Sequence, residues 1–209
     1  MKKLSLLVFI FFLVFLVSNI SAADLKGRFG ITGKGGVAIP FGDFGDDNKL
    51  GANTGYGFGA AGEYFVNNNI SIGAEFLYDI HGVDVSGENT DVDVNWKITN
   101  YGAFLKYIFP TSSKVLLPYV KLDLGFYKPK LTGKSGAFEA SASFSTKLGI
   151  AGGGGIAYSV SPNIFLSGEL MFHNGFTSDA KTDGVKLDSD IQYVSIFAGV
   201  TFFVGGLKY

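Results

Sequence analysis

Residues 192–204 read Gln192-Tyr193-Val194-Ser195-Ile196-Phe197-Ala198-Gly199-Val200-Thr201-Phe202-Phe203-Val204. Val194, Ile196, Ala198, Val200, Phe202 and Val204 hold every even position after the first, and Ser195, Gly199 and Thr201 stand between them. Only a strand puts alternate residues on opposite faces, so this segment is a strand with one apolar side. The same period recurs towards the N-terminus. Ile70, Ile72, Ala74, Phe76, Tyr78 and Ile80 alternate with Ser71, Gly73, Glu75, Leu77 and Asp79; Val120, Leu122, Leu124 and Phe126 alternate with Tyr119, Lys121, Asp123 and Gly125. Eight strands are expected in all, at 28–41, 56–66, 70–80, 99–109, 119–127, 144–160, 164–172 and 192–204.

The connections alternate in length. Three are short and built of turn residues, at 67–69, 110–114 and 161–163. Four are long and polar, at 42–54, 82–95, 128–143 and 174–190. Hairpins with one trimmed end and one ragged end describe an antiparallel barrel that crosses a membrane, with tight turns inside and long loops outside. A soluble β-sandwich shows the same period, and three features weigh against it. Small residues such as Gly149, Ala151, Gly153, Gly155 and Ala157 fill the polar face, as a narrow closed interior demands. Aromatic residues gather where the apolar bands end: Tyr64, Tyr107, Phe109, Tyr158 and Phe202 near the short turns, and Phe41, Tyr56, Tyr78, Phe126, Phe144 and Phe172 near the long loops. Two such girdles fit the two lipid interfaces. The third feature is an export signal.

Lys2 and Lys3 precede the 14-residue apolar run Leu4–Val17, which Ser21-Ala22-Ala23 follows. This is the pattern of a signal peptide over residues 1–23, leaving an outer-membrane β-barrel domain over 24–209. An uncleaved anchor would need about 20 apolar residues, and Ser18 and Asn19 come too early. No later stretch is long enough for a membrane helix. Every strand edge in a bilayer must be paired, so the eight must close on themselves.

Composition removes other classes. The chain has 209 residues, of which 17 are basic and 18 acidic, and 30 are glycine. Glycine is about twice as frequent as usual and charge well below average. The balance leaves no positive field for nucleic acid, and the absence of cysteine excludes disulfides, thiol nucleophiles and thiolate metal sites.

The strings Leu117–Gly125, Asn163–Leu170 and Ala198–Phe203 are similar to those of the small OmpA/OmpX/OmpW-type outer-membrane β-barrel superfamily. The resemblance implies an all-β, eight-stranded, up-and-down transmembrane barrel in the outer membrane of a Gram-negative-type bacterium. It implies lipid and lipopolysaccharide as surroundings, and periplasmic chaperones and the barrel-assembly machinery as partners in biogenesis. Members usually end on an aromatic residue with apolar alternating partners. Here Tyr209 is terminal, but the apolar parity ends at Phe202 and Val204, so a bulge near Gly205-Gly206 or an extension past the barrel is expected. Lipid A deacylases share this fold but use a His-x-Ser pair, whereas this chain has His81-Gly82-Val83 and His173-Asn174-Gly175.

No catalytic, cofactor or metal site is expected. The two histidines sit at loop ends of the polar face and read as rim residues; two ligands without a third make a weak metal site. The ionisable residues Lys34, Glu63, Glu75, Asp79, Lys106, Lys121, Asp123, Lys147 and Glu169 all face the expected lumen. Mixed signs in a confined interior should pair. Either they plug the barrel, which gives a non-enzymatic structural or surface protein, or they line a wet path, which gives a minor porin for small solutes or ions. Tyr64, Val66, Asn69, Ile70 and Glu75 recur 94 residues later as Tyr158, Val160, Asn163, Ile164 and Glu169, as if two hairpins did one job in two halves. The long loops carry Asp43, Asp46, Asp47, Asp84, Glu88, Asp91, Asp93, Asp179, Asp183, Asp188 and Asp190, for an extracellular ligand, for cations bridging lipopolysaccharide, or merely for solvation.

Overall fold

The computed structural model describes residues 25–84, 92–113, 115–136, 138–182 and 185–204. The expected signal segment and the terminal residues 205–209 lie outside these. The strands are β1 (Phe29–Pro40), β2 (Gly55–Phe65), β3 (Ile70–Val83), β4 (Val92–Ile108), β5 (Leu116–Ser135), β6 (Phe138–Ser143), β7 (Lys147–Ser161), β8 (Ile164–Gly175), β9 (Lys181–Thr182), β10 (Val185–Lys186) and β11 (Ile191–Val204). Eight of them form the wall in the order β1-β2-β3-β4-β5-β7-β8-β11, each antiparallel to its neighbours. β11 then pairs with β1, from Phe29 opposite Val204 to Pro40 opposite Tyr193, and the sheet has no open edge along the wall. No helix among the described residues is long and apolar enough to cross a membrane.

Alternation decides which way each side chain points. Ile72, Leu122 and Leu148 are 50, 61 and 45 % exposed, on the outside of the wall. A sandwich would bury them between its sheets, so the barrel stands. A continuous exposed apolar surface of this extent is stable only against lipid. The inward positions of the same strands carry the buried polar residues and two apolar clusters, one at each end.

The trimmed end is held by side-chain-to-backbone turns. Asn67 Oδ1 accepts from the backbone N–H groups of Asn69 and Ile70, both at 2.8 Å, and Ser113 Oγ accepts from Leu116 N–H at 2.9 Å. The ragged end differs from the sequence expectation. The segment 128–143 is not a loop. β5 runs on to Ser135 and returns as β6, with Lys130 opposite Ser143 and Ser135 opposite Phe138. β4 likewise starts at Val92, not near 99, and pairs with that extension. These strands stand above the lipid band, where the outer face need not be apolar, so the apolar-outward pattern is lost although pairing continues.

The first long connection folds inward. Gly42 adopts φ +58, a conformation that L side chains resist, and opens a short 3-10 turn over Gly42–Phe44. The turn drops Phe44 into the mouth, fully buried. Trp96 Nε1 donates to Leu50 O at 3.0 Å and fixes the rest of the connection.

Candidate functional site

The inward residues form layers along the barrel axis. At the trimmed end Leu25, Phe65, Ile108, Leu117, Tyr119, Phe165 and Phe203 pack together. Phe165 meets Phe203 edge-on at 4.8 Å. The Arg28 guanidinium lies 4.6 Å above the Phe203 ring and donates to Asn163 Oδ1 at 2.7 Å.

Above them is an ionic layer. Lys34 Nζ donates to Glu75 Oε2 at 2.6 Å and to Glu169 Oε1 at 2.8 Å. Lys121 Nζ reaches the same Glu75 oxygen at 2.6 Å and the same Glu169 oxygen at 3.5 Å. Lys106 Nζ donates to Glu63 Oε1 at 2.7 Å, and Ser71 Oγ donates to the other oxygen at 2.7 Å. Strand order explains the geometry. Lys34, Glu75, Lys121 and Glu169 sit on β1, β3, β5 and β8, every second strand around the wall, so like charges face across the lumen and unlike charges are adjacent. Alternate strands filling one layer is how small barrels pack. The 94-residue echo thus places Glu75 and Glu169 on opposite walls, and both hold the same two lysines. The cavity left in this layer is about 40 Å³, room for a few waters.

Sequence reasoning expected all nine ionisable residues to pair, and three do not. Asp79 Oδ2 accepts from Tyr193 Oη at 2.9 Å, yet its other oxygen and both oxygens of Asp123 have no hydrogen-bond partner among the described residues. Both lie on the inward face beyond the ionic layer, Asp79 four positions after Glu75 and Asp123 two after Lys121, and neither hydrogen-bonds a lysine among the described residues. Lys147 keeps the inward parity at the ragged end of β7, half-exposed and outside the ionic layer. A shared face does not mean a shared height.

The top layer is aromatic. Tyr127, Tyr193, Phe44, Trp96 and Phe144 pack with Ile98 and Ile191. Here both histidines depart from the expected rim position. His81 and His173 are 0 and 1 % exposed. His173 stacks on Tyr193 at 4.4 Å and 4°, with Nδ1 3.2 Å from Tyr127 Oη and Nε2 2.9 Å from Ser195 Oγ. His81 lies edge-on to Tyr193 and to Phe44. The strands continue past both residues, and the Phe44 turn closes over them. Sequence reasoning missed Phe44, Tyr127 and Tyr193. The signal was the two tyrosines' place on the otherwise small or polar parity; nothing marked Phe44.

The aromatic residues expected outside divide in two. Phe41, Tyr56, Tyr64, Phe126, Tyr158, Phe172 and Phe202 are each more than 40 % exposed on the outer wall. Tyr78 packs outside against Phe58, at 5.5 Å between centroids, and Tyr107 is half-exposed. Phe109 and Phe144 are corrections: both are buried, 8 and 6 % exposed. Phe109 lies just past the end of β4, where its N–H donates to Pro118 O and its ring packs edge-on against Tyr107 at 5.2 Å. Phe144 sits in the break between β6 and β7 and turns in against Trp96 at 5.8 Å.

A model of the family described as outer membrane protein beta-barrel domain matches residues 7–202. The chain belongs to that family. No curated protein sequence matches it. Among solved structures, this outer-membrane barrel is similar to Neisserial surface protein A (NspA), at 19 % identity and a TM-score of 0.59 over 85 % of this chain and 99 % of that one. OprG of Pseudomonas aeruginosa follows at 15 % and 0.57 over 90 and 100 %, and Ail, the attachment invasion locus protein of Yersinia pestis, at 16 % and 0.51 over 86 and 99 %. These likenesses establish the fold and, with the family, an outer-membrane location.

Most of the described loop acids lie apart. Glu88, Asp91 and Asp183 lie outside the described residues. Asp46 Oδ1 accepts from Asn48 N–H at 2.9 Å, a local turn, and Asp190 Oδ1 accepts from Ser178 N–H at 3.0 Å. Asp43, Asp188 and Asp190 share a shallow polar hollow with Ser178, Ser189 and Gln192. Asp47, Asp84 and Asp93 are exposed and separate, and Asp179 is exposed. No group of three carboxylates or histidines poised for a metal is found among the described residues.

Proposed function

We propose that this outer-membrane barrel is a non-enzymatic structural or surface-interaction protein, with a closed lumen and a role carried by its extracellular loops. The carrying observation is the stack of three inward layers. A solute would have to pass the Phe44–Tyr193 aromatics, the ion-paired lysines and the Phe65–Phe203 cluster in turn. Opening the ionic layer alone separates charges less than 10 % exposed on the Lys34, Lys121 and Glu75 side chains, at a cost of about 3–5 kcal/mol for each broken partner. The Ser195–His173 pair has the spacing of a nucleophile and base, but it is buried beneath Tyr193 and offers a substrate no entry. The outward aromatics serve as interfacial anchors in this reading, residues 1–23 as a removed signal peptide, and chaperones and assembly machinery as transient partners.

The experiment is single-channel recording of the purified protein in a planar bilayer, together with loop-trimmed barrels assayed for surface binding. No steady openings and a binding phenotype lost with the loops is the expected result. Steady openings would defeat the closed lumen. The second reading, a minor porin for small solutes, draws on Asp79 Oδ1, both Asp123 oxygens and the Asn100 amide, buried without a hydrogen-bond partner among the described residues, which call for water there. The same recording separates the two.

A further inference from the structure

The outer wall is almost free of charge, and the exceptions are concentrated. On β1, β2, β3, β7, β8 and β11 every outward position within the band is apolar, small or uncharged. Among the described residues of the wall and the β6 extension, outward charges occur on β4, β5 and β6 alone: Asp93, Lys97, Lys128, Lys130, Lys134 and Glu139. Lys134 lies directly opposite both acids, Asp93 on β4 and Glu139 on β6. Three lysines remain. Lys97 stands between buried Trp96 and Ile98, and so points out. Its cross-strand partner is Lys130. Lys128, exposed, lies one pair below, opposite Thr99.

A like-charge pair directly opposite on neighbouring strands is destabilising. None of the three lysines forms a salt bridge among the described residues. Their height says what neutralises them. Tyr101 and Phe126 form an outward aromatic pair, 5.7 Å between centroids. Lys128 is two residues beyond Phe126 and Lys130 four. At about 3.4 Å per residue and a strand tilt of about 40°, the ammonium groups start ~5 and ~10 Å above the rings. Rings at that position mark the edge of the hydrocarbon, and the headgroup layer beyond it is ~5–8 Å deep. Lys128 therefore emerges within the layer that carries the outer leaflet's phosphates, and Lys97 and Lys130 just above it, from where a flexible lysine side chain reaches down to them along a wall that faces acyl chains.

We propose that Lys97, Lys128 and Lys130 form a docking site for the phosphate groups of an anionic lipid in the outer leaflet, the acyl chains lying along the Tyr101–Phe126 face below. The ligand is lipid-borne, because the site is continuous with the apolar wall. Lysine suits it, as a point charge that binds phosphate without fixed geometry.

The test uses the protein extracted from membranes in dodecyl maltoside and titrated with diphosphoryl lipid A, with the same lipid dephosphorylated, and with inorganic phosphate, bound species being counted by native mass spectrometry. One diphosphoryl lipid is expected to bind the native protein. The variant Lys97→Gln/Lys128→Gln/Lys130→Gln should bind it about a hundredfold more weakly, on the basis of ~1 kcal/mol per lysine at 1.4 kcal/mol per decade. The corresponding triple Lys→Arg variant should keep the affinity, and Lys26→Gln, at the opposite end of the barrel, should change nothing. Should the triple Gln variant not fold, Lys130→Gln alone should lose about fivefold. Equal binding of the dephosphorylated lipid, undiminished binding by the Gln variants, or displacement of the lipid by millimolar inorganic phosphate would each overturn the proposal.

Discussion

Replacing Glu75 by glutamine removes the charge that two lysines share while keeping the shape. Lys34 and Lys121 each lie 2.6 Å from the same Glu75 oxygen, and the three side chains are 7, 3 and 1 % exposed in the order Lys34, Lys121, Glu75. In the native layer three ammonium groups meet three carboxylates, of Glu63, Glu75 and Glu169. In Glu75→Gln, Lys34 and Lys121 must share Glu169, which Lys121 reaches only at 3.5 Å. A buried charge left without its partner costs about 3–5 kcal/mol. With an m-value of about 2 kcal/mol per molar urea, the unfolding midpoint should fall by ~1.5–2.5 M. The assay is urea unfolding in lipid vesicles, with the folded fraction read from the mobility of unheated samples in gels. The double variant Glu75→Leu/Lys121→Leu provides the control. It deletes one charge of each sign and leaves the Lys34–Glu169 pair at 2.8 Å, so it should lie within ~1 kcal/mol of the native protein. A Glu75→Gln midpoint shifted by less than about 0.3 M, or a double variant as unstable as the single one, would refute the electrostatic account of this layer.

Three other outcomes follow from the geometry. A Cβ on Gly153 would lie 2.0 Å from the Leu170 carbonyl oxygen, whereas one on Gly33 would meet nothing within 4 Å; Gly153→Ala should abolish most of the heat-modifiable folded species in gels and Gly33→Ala should not, and equal yields would count against the tight β7–β8 approach. Phe44→Ala removes the buried ring that closes the mouth, at a local cost of about 3 kcal/mol; protease cleavage within 42–54 of the vesicle-embedded protein should accelerate about a hundredfold with the barrel midpoint unchanged, and an unaltered cleavage rate would mean that Phe44 does not hold the cap. Phe138, 85 % exposed at the β5–β6 turn, should tolerate Ser within about 0.5 kcal/mol in the same unfolding assay; a larger loss would show it packed against something.

The wall was legible because lipid enforces it. Each barrel strand must present alternate apolar residues over the height of the bilayer, and segments such as Ile70–Ile80 and Val194–Val204 carry that demand openly. Where the lipid ends, so does the signal. Residues 92–98 pair as a strand with the β5 extension, which pairs in turn with β6, but their outer face lies above the hydrocarbon, lysine and aspartate serve there, and the sequence reads as loop. Phe144 fails for a related reason: it lies just outside a strand, where parity no longer determines direction. The inward face was legible as a set of residues but not as a stack. Parity assigns Glu75, Asp79 and His81 to one side of one strand, yet only the stagger between strands decides that Glu75 meets lysines, Asp79 meets Tyr193 and His81 meets Phe44.

That stagger also bears on function. A layer of charges spanning opposite walls ties β1 to β3, β5 and β8, strands that are not hydrogen-bonded to one another, so the ionic layer fixes the cross-section of the cylinder in a way that backbone pairing cannot. The aromatic layer does the same at the mouth through Tyr193, which touches His81 on β3 and His173 on β8. A barrel cross-braced at two heights resists the widening that conduction would need. The parts outside the two braces are the β4–β5–β6 extension, the polar hollow around Asp43 and Asp190, and the lysine ridge proposed to meet the headgroups. On the proposed reading, a closed lumen and an active outer surface are one property, since the bracing that would block the first holds the second at a fixed height above the membrane.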